Sequence, residues 1–149
     1  MKALTVKSKN LIKTEVNRLW NILITPLYIR QWDELPDDFD DRERLALGTE
    51  MKWQHNEDRY TKLTVTEFEV NKLLKMNIYN SWWPENESFY NIGYIYRLSE
   101  NDEGVDLTVT IGDFSVLEDG ENYYNASVEF SEVASAKIKI LAEQEPDYL

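Results

Sequence analysis

LWNILITPLYIRQW, residues 19–32, carries two short helices with a single break between them. Val16, Leu19, Trp20 and Leu23 recur at the i, i+3, i+4, i+7 spacing that places four side chains on one helical face, and Thr14 is the expected N-cap. The first helix is expected to end near Ile24. Thr25-Pro26 then restarts a helix, because a Thr side chain can cap free amides and Pro tolerates the first helical position. Tyr28, Ile29 and Trp32 follow at spacings of three and four, which makes them anchors of the fold first and residues of a cavity mouth second.

On the N-terminal side, residues 2–12 alternate, with Leu4 and Val6 on one face and Lys7 and Lys9 on the other, the pattern of a strand. On the C-terminal side, DELPDDFDDRER, residues 33–44, holds seven acids against two bases and reads as an exposed, mobile loop. Strands follow. Met51, Trp53 and His55 share one face, as do Leu74, Met76, Ile78 and Trp82, then Tyr90, Ile92, Tyr94, Tyr96 and Leu98, then Val105, Leu107, Val109 and Ile111. Leu63 and Val65 lie on one parity but Phe68 and Val70 on the other, which predicts a bulge near Thr66 and Glu67. From about Glu121 to Glu143 the pattern returns to helix, with Tyr123, Ala126, Phe130, Val133, Ala134, Ile140 and Leu141 on one broad face.

A chain of 149 residues with 42% apolar content suits one domain, expected to span 1–149. The formal charge of −12 argues against a phosphate-tracking surface, so no nucleic acid is expected as a partner. There is no cysteine, which removes disulfides, thiolate nucleophiles and Cys-ligated zinc, and one histidine cannot assemble a metal site. No apolar run approaches a membrane span and no signal-like segment is visible; a cytoplasmic protein is expected.

A bent antiparallel sheet of about six strands wrapped around the long C-terminal helix, with two short helices after strand one, would give every amphipathic face an apolar partner. This is an α+β helix-grip architecture. Trp20, Thr25-Pro26 and Trp32 resemble the opening motif of the activator of heat-shock protein 90 ATPase homologue family, within the START-like SRPBCC superfamily. Gly48 to Trp53, VTEFEVNKLLKM (residues 65–76) and AKIKIL (136–141) extend the resemblance over most of the chain. It departs from the family at Leu47-Gly48, where a double Gly is usual, and in lacking a Gly-Trp pair early in the last helix. The resemblance implies a small-ligand or lipid-binding module, with a co-chaperone domain and cavity enzymes acting on apolar metabolites among the relatives.

Candidate cavity residues are Trp32, Trp53, His55, Trp82, Tyr94 and Lys137. The aromatic set Trp53, Trp82, Trp83, Tyr90, Tyr94 and Tyr96 could line an apolar pocket, although core packing explains most of it. Trp82 and Trp83 must face opposite ways if the strand persists through them, so one of them is a candidate exposed contact. His55 extends the Met51-Trp53 face and could act as a hydrogen-bond donor, acid or base, or be a plain strand-end residue. Lys137 falls within the apolar arc of the last helix, where it would greet an acidic head group or snorkel to solvent. No nucleophile elbow or phosphate loop is present, so no catalytic residue, metal or cofactor is assigned. The expectation is a non-enzymatic binder of a small hydrophobic or lipid-like ligand. The alternatives are a protein-interaction module using the acidic residues Asp37, Asp38, Asp40 and Asp41, and a cavity enzyme using His55 or a Tyr.

Overall fold

The computed structural model describes residues 2–144; both ends of the expected 1–149 domain lie outside the described residues. In chain order the elements are β1 (Val6–Ile12), α1 (Val16–Ile24), α2 (Pro26–Trp32), β2 (Glu50–Gln54), β3 (Tyr60–Glu69), β4 (Leu73–Asn80), β5 (Gly93–Asn101), β6 (Gly104–Gly112) and α3 (Gly120–Glu143). The six strands form one curved antiparallel sheet in the order β1-β6-β5-β4-β3-β2. Helix α3 packs against β1 and alongside α1 and α2, completing the α+β helix-grip fold.

Register places the apolar face. Met51 pairs with Leu63 and Leu63 with Ile78, while Val65 pairs with Met76, Met76 with Tyr94 and Tyr94 with Ile111. These rows put one parity of each strand on the side that the helices cover. The β3–β4 register shifts between Val65 and Glu67, and the shift returns Phe68 to the core side, where it meets Trp20 edge-on at 5.2 Å. Gly48 has φ +88° and donates its N–H to Val65 O, so the single glycine of Leu47-Gly48 occupies the one position that needs the left-handed region.

The helix junction differs in detail from expectation. The residue before α1 is Glu15, not Thr14, and it makes no side-chain cap. Thr25 is extended, its N–H closing α1 on Asn21 O and its carbonyl accepting from Tyr28 and Ile29 N–H, whereas its hydroxyl is buried without a partner among the described residues. Here the backbone and Pro26 carry the restart, not the Thr side chain.

Residues 33–44 are not a free loop. Arg30 pairs with Asp41 at 2.7 Å and donates to Pro36 O at 3.2 Å, and Leu45 N–H returns to Ile24 O. Leu35 and Pro36 within the run and Leu45 just after it are buried, because these few apolar residues reach back to the core.

The buried face of α3 also differs. It consists of Ser127, Ser131, Ala134, Ser135, Ile138 and Ala142, while Val133 and Ile140 are 47% and 61% exposed and Ala126 is exposed too. Small side chains let the helix approach β1 closely, as the 2.9 Å contact between the Ser8 and Ser131 hydroxyls shows. Lys137, on the flank of that face, is exposed rather than within it. At the end of α3, Arg18 donates to the carbonyls of Leu141, Ala142 and Gln144, each at 3.0 Å, satisfying acceptors that the last turn leaves free.

Candidate functional site

The curvature of the sheet leaves space between the inner face of β2–β5 and the end of α2. An inner cavity of about 260 Å³ lies there, walled by Trp53, Leu63, Met76 and Ile78, with Tyr94 and Tyr96 on β5 and Asp33 just past α2. It opens beside an outer cleft of about 700 Å³ between the acidic segment and β2, which shares Asp33, Glu34, Trp53 and His55 with it.

Trp32 closes α2 from behind the cavity. Its indole N–H donates to Ile22 O at 2.9 Å, and its ring meets Tyr96 edge-on at 5.9 Å. Asp33 follows at once, as the C-cap of α2, with its carboxylate accepting, among the described residues, only from Glu34 N–H. Burial pushes this carboxyl from its ordinary value near 3.8 up to about 6. The Glu34 N–H bond and the charge of Lys137 oppose that rise, and the charge of Glu34 adds to it. Across the cavity, burial and the Asp33 charge raise the Tyr94 phenol to about 12, and burial with the charges of Asp33 and Tyr94 holds that of Tyr96 well above its ordinary value. The Tyr96 hydroxyl is buried and has no hydrogen-bond partner among the described residues.

A polar relay forms one rim. Thr61 Oγ1 donates to Asn80 Oδ1 at 2.6 Å, and Asn80 Nδ2 reaches the Tyr123 hydroxyl at 3.4 Å, which also accepts from Trp83 Nε1 at 3.2 Å. Thr61 has a single proton, already given to Asn80, so the 2.8 Å contact with His55 Nε2 makes the imidazole the donor.

Of the six residues expected at the cavity, Trp53, His55 and Tyr94 line it. Trp32 stands one layer behind. Trp82 is 39% exposed and lies outside the wall, stacked edge-on against His55 at 5.7 Å with Arg59 over its ring; the buried member of the pair is Trp83, at 6%. A turn after β4 ends the strand alternation before either tryptophan, so parity cannot assign their faces. Lys137 reaches the site only through its charge on Asp33. Sequence reasoning passed over Asp33, Thr61 and Met76 as cavity residues and left Tyr96 within the wider aromatic set. Thr61 could have been found by pairing Trp53 across β2–β3, which places the two directly opposite.

Among the described residues no group of His, Cys, Asp and Glu is placed to hold a metal ion, and no helix is long and apolar enough to cross a membrane. The site can enclose an apolar group, offer it phenol and carboxyl contacts at one end, and exchange a proton at Asp33 close to neutral pH.

Residues 13–143 match the family model described as activator of Hsp90 ATPase homolog 1-like protein. The chain belongs to this family. The family fold recurs in the solution structure of the Aha1 dimer from Colwellia psychrerythraea, with 14% identity, a TM-score of 0.68 and coverage of 93% of this chain and 96% of that one. Protein MLL2253 from Mesorhizobium loti is similar at 18% identity and a TM-score of 0.66, covering 92% and 95%. DynU16, from the dynemicin biosynthetic locus, is similar at 12% identity and a TM-score of 0.69; the match takes in 96% of this chain but only 48% of DynU16. No curated protein sequence matches this member of the family. At these identities the likeness concerns the fold, and the cavity residues must be judged on their own chemistry.

That chemistry makes a first prediction. Between about pH 4 and pH 6 the unfolded chain has ionised Asp33 while the folded chain still holds the proton, so this group lowers stability as pH rises through that window. A shift from 3.8 to about 6 corresponds at most to about 3 kcal/mol, and solvent screening at this half-buried site brings it to about 1–2 kcal/mol. Asp33→Asn keeps the Oδ1 acceptor for Glu34 N–H and should therefore be about 1–2 kcal/mol more stable than the parent at pH 7.5, yet equal to it at pH 4. Urea unfolding at both values reads this directly, and equal gains at both would dismiss burial of the charge as the cause.

Proposed function

We propose that this protein binds a small apolar ligand in the inner cavity, without chemistry of its own. The observation that carries the proposal is the cavity itself: a pre-formed space lined by Leu63, Met76, Ile78 and Trp53, with a few polar groups gathered at one end. At about 260 Å³ it falls just below the ~300–1,000 Å³ typical of pockets for drug-sized molecules, so it suits a compact ligand or one end of a longer chain continuing into the outer cleft. The family's helix-grip fold supports the same reading by analogy. The alternative of a docking surface on the acidic segment has less support, since Asp40 is paired with Arg42 and Asp41 with Arg30.

Met76 supplies the readout, because it lines the cavity. With the methionine methyl groups labelled with ¹³C, titration with the neutral probe 2-phenylethanol should shift the Met76 signal in a saturable way, at the millimolar affinity expected of so small a ligand. Ile78→Trp should fill the space and abolish the shift. A Met76 signal that stays still up to the solubility of the probe would sink the proposal.

A further inference from the structure

The polar end of the cavity has a definite charge preference. Tyr96 lines this end of the cavity and is 1% exposed, with its hydroxyl buried. In the same lining the Asp33 carboxylate is half-buried and makes no ion pair among the described residues. Glu34, Asp37 and Asp38 add negative charge at the mouth. The two cations that line the outer cleft are occupied elsewhere: Arg30 holds Asp41, and Lys52 sits over the Tyr60 ring at 4.2 Å. Lys137 is exposed on α3 and acts on Asp33 only across space. The walls are aromatic, and the faces of Trp53, Tyr94 and Tyr96 are themselves negative.

An anionic head group would meet like charge here. A neutral hydroxyl would leave the Asp33 carboxylate desolvated and without an ion pair. A protonated amine supplies the missing partner, donating an N–H to the carboxylate. Resting on the reading of the cavity as a ligand site, we propose that the ligand is a small cationic amphiphile whose ammonium group pairs with Asp33 while its apolar body lies along Leu63, Met76 and Ile78. Burial raises the Asp33 carboxyl, and pairing with an amine should draw it back down.

Three near-isosteric probes separate the alternatives: 2-phenylethylamine, 2-phenylethanol and phenylacetate, titrated at pH 7.5 against the labelled Met76 methyl. The amine should bind at least about tenfold tighter than the alcohol, and phenylacetate most weakly. In Asp33→Asn the amine should fall to about the alcohol's affinity while the alcohol itself is unchanged. Lowering the pH below about 6 should weaken the amine in the parent but not in Asp33→Asn, with Glu34, Tyr94, Tyr96, His55 and Lys137 the other titratable groups facing or neighbouring the site. An alcohol that binds as well as the amine, or an amine preference that survives Asp33→Asn, overturns the cationic ligand while leaving the apolar cavity in place. If all three probes fail, the ligand site falls with it.

Discussion

Trp32→Ala should destabilise the protein by about 3–5 kcal/mol, the range for removing a large buried aromatic side chain. The side chain is 3% exposed, its N–H serves the Ile22 carbonyl in the last turn of α1, and its ring supports Tyr96. Helix α2 has only seven residues, far too few to persist alone, so it depends on this contact for its place. Asp33 and the segment held by Arg30 follow directly from α2 and should lose their positions with it. Trp32→Phe separates the causes: it keeps an edge-on ring against Tyr96 and deletes the N–H bond, for an expected cost of about 1–3 kcal/mol. Chemical unfolding followed by circular dichroism gives both values. The alanine variant should also lose 2-phenylethanol binding at Met76, and a cost below about 2 kcal/mol would show that α2 is held by something other than its terminal tryptophan.

The same residue explains why so much of the fold was legible. Trp20, Thr25-Pro26 and Trp32 report local facts, a helical face and a helix break, and local facts survive in sequence spacing. Strand alternation likewise announced β2, β4, β5 and β6, and the change of parity after Val65 announced the bulge. What failed was inference about which side of an element meets its neighbour. Helix α3 buries a stripe of Ser and Ala because close approach to β1 rewards small side chains, so hydrophobicity pointed to Val133 and Ile140, which face away. The acidic run misled in the same manner, since its net charge concealed Leu35 and Leu45, which fasten it to the core. Asp33 could not be distinguished from its acidic neighbours, as its burial comes from the end of α2 meeting β5, a contact made across more than sixty residues of chain. Tyr96 was visible as one of an aromatic set, but its unpartnered hydroxyl is a property of the assembled cavity alone.

Asn80→Ala should cost about 2–3 kcal/mol, because Asn80 is a buried hub whose loss strands polar groups on two other elements. The bond from Thr61 is short, at 2.6 Å, and that to Tyr123 long, at 3.4 Å, so the loss should reside mainly between β3 and β4. Double-mutant cycles can apportion it: Asn80→Ala with Thr61→Val should show a coupling of about 1 kcal/mol, and Asn80→Ala with Tyr123→Phe less than about 0.5 kcal/mol. Coupling concentrated on Tyr123 would mean that Asn80 secures α3 to the sheet, not the strand pair. The cavity rim supplies a second, independent signature. With Asn80 gone, the Thr61 proton is free to turn toward His55, and the imidazole can then accept at Nε2 instead of donating. The ¹⁵N shifts of the single histidine distinguish the two tautomers, so an unchanged Nε2–H signal in Asn80→Ala would show that His55 takes its orientation from elsewhere.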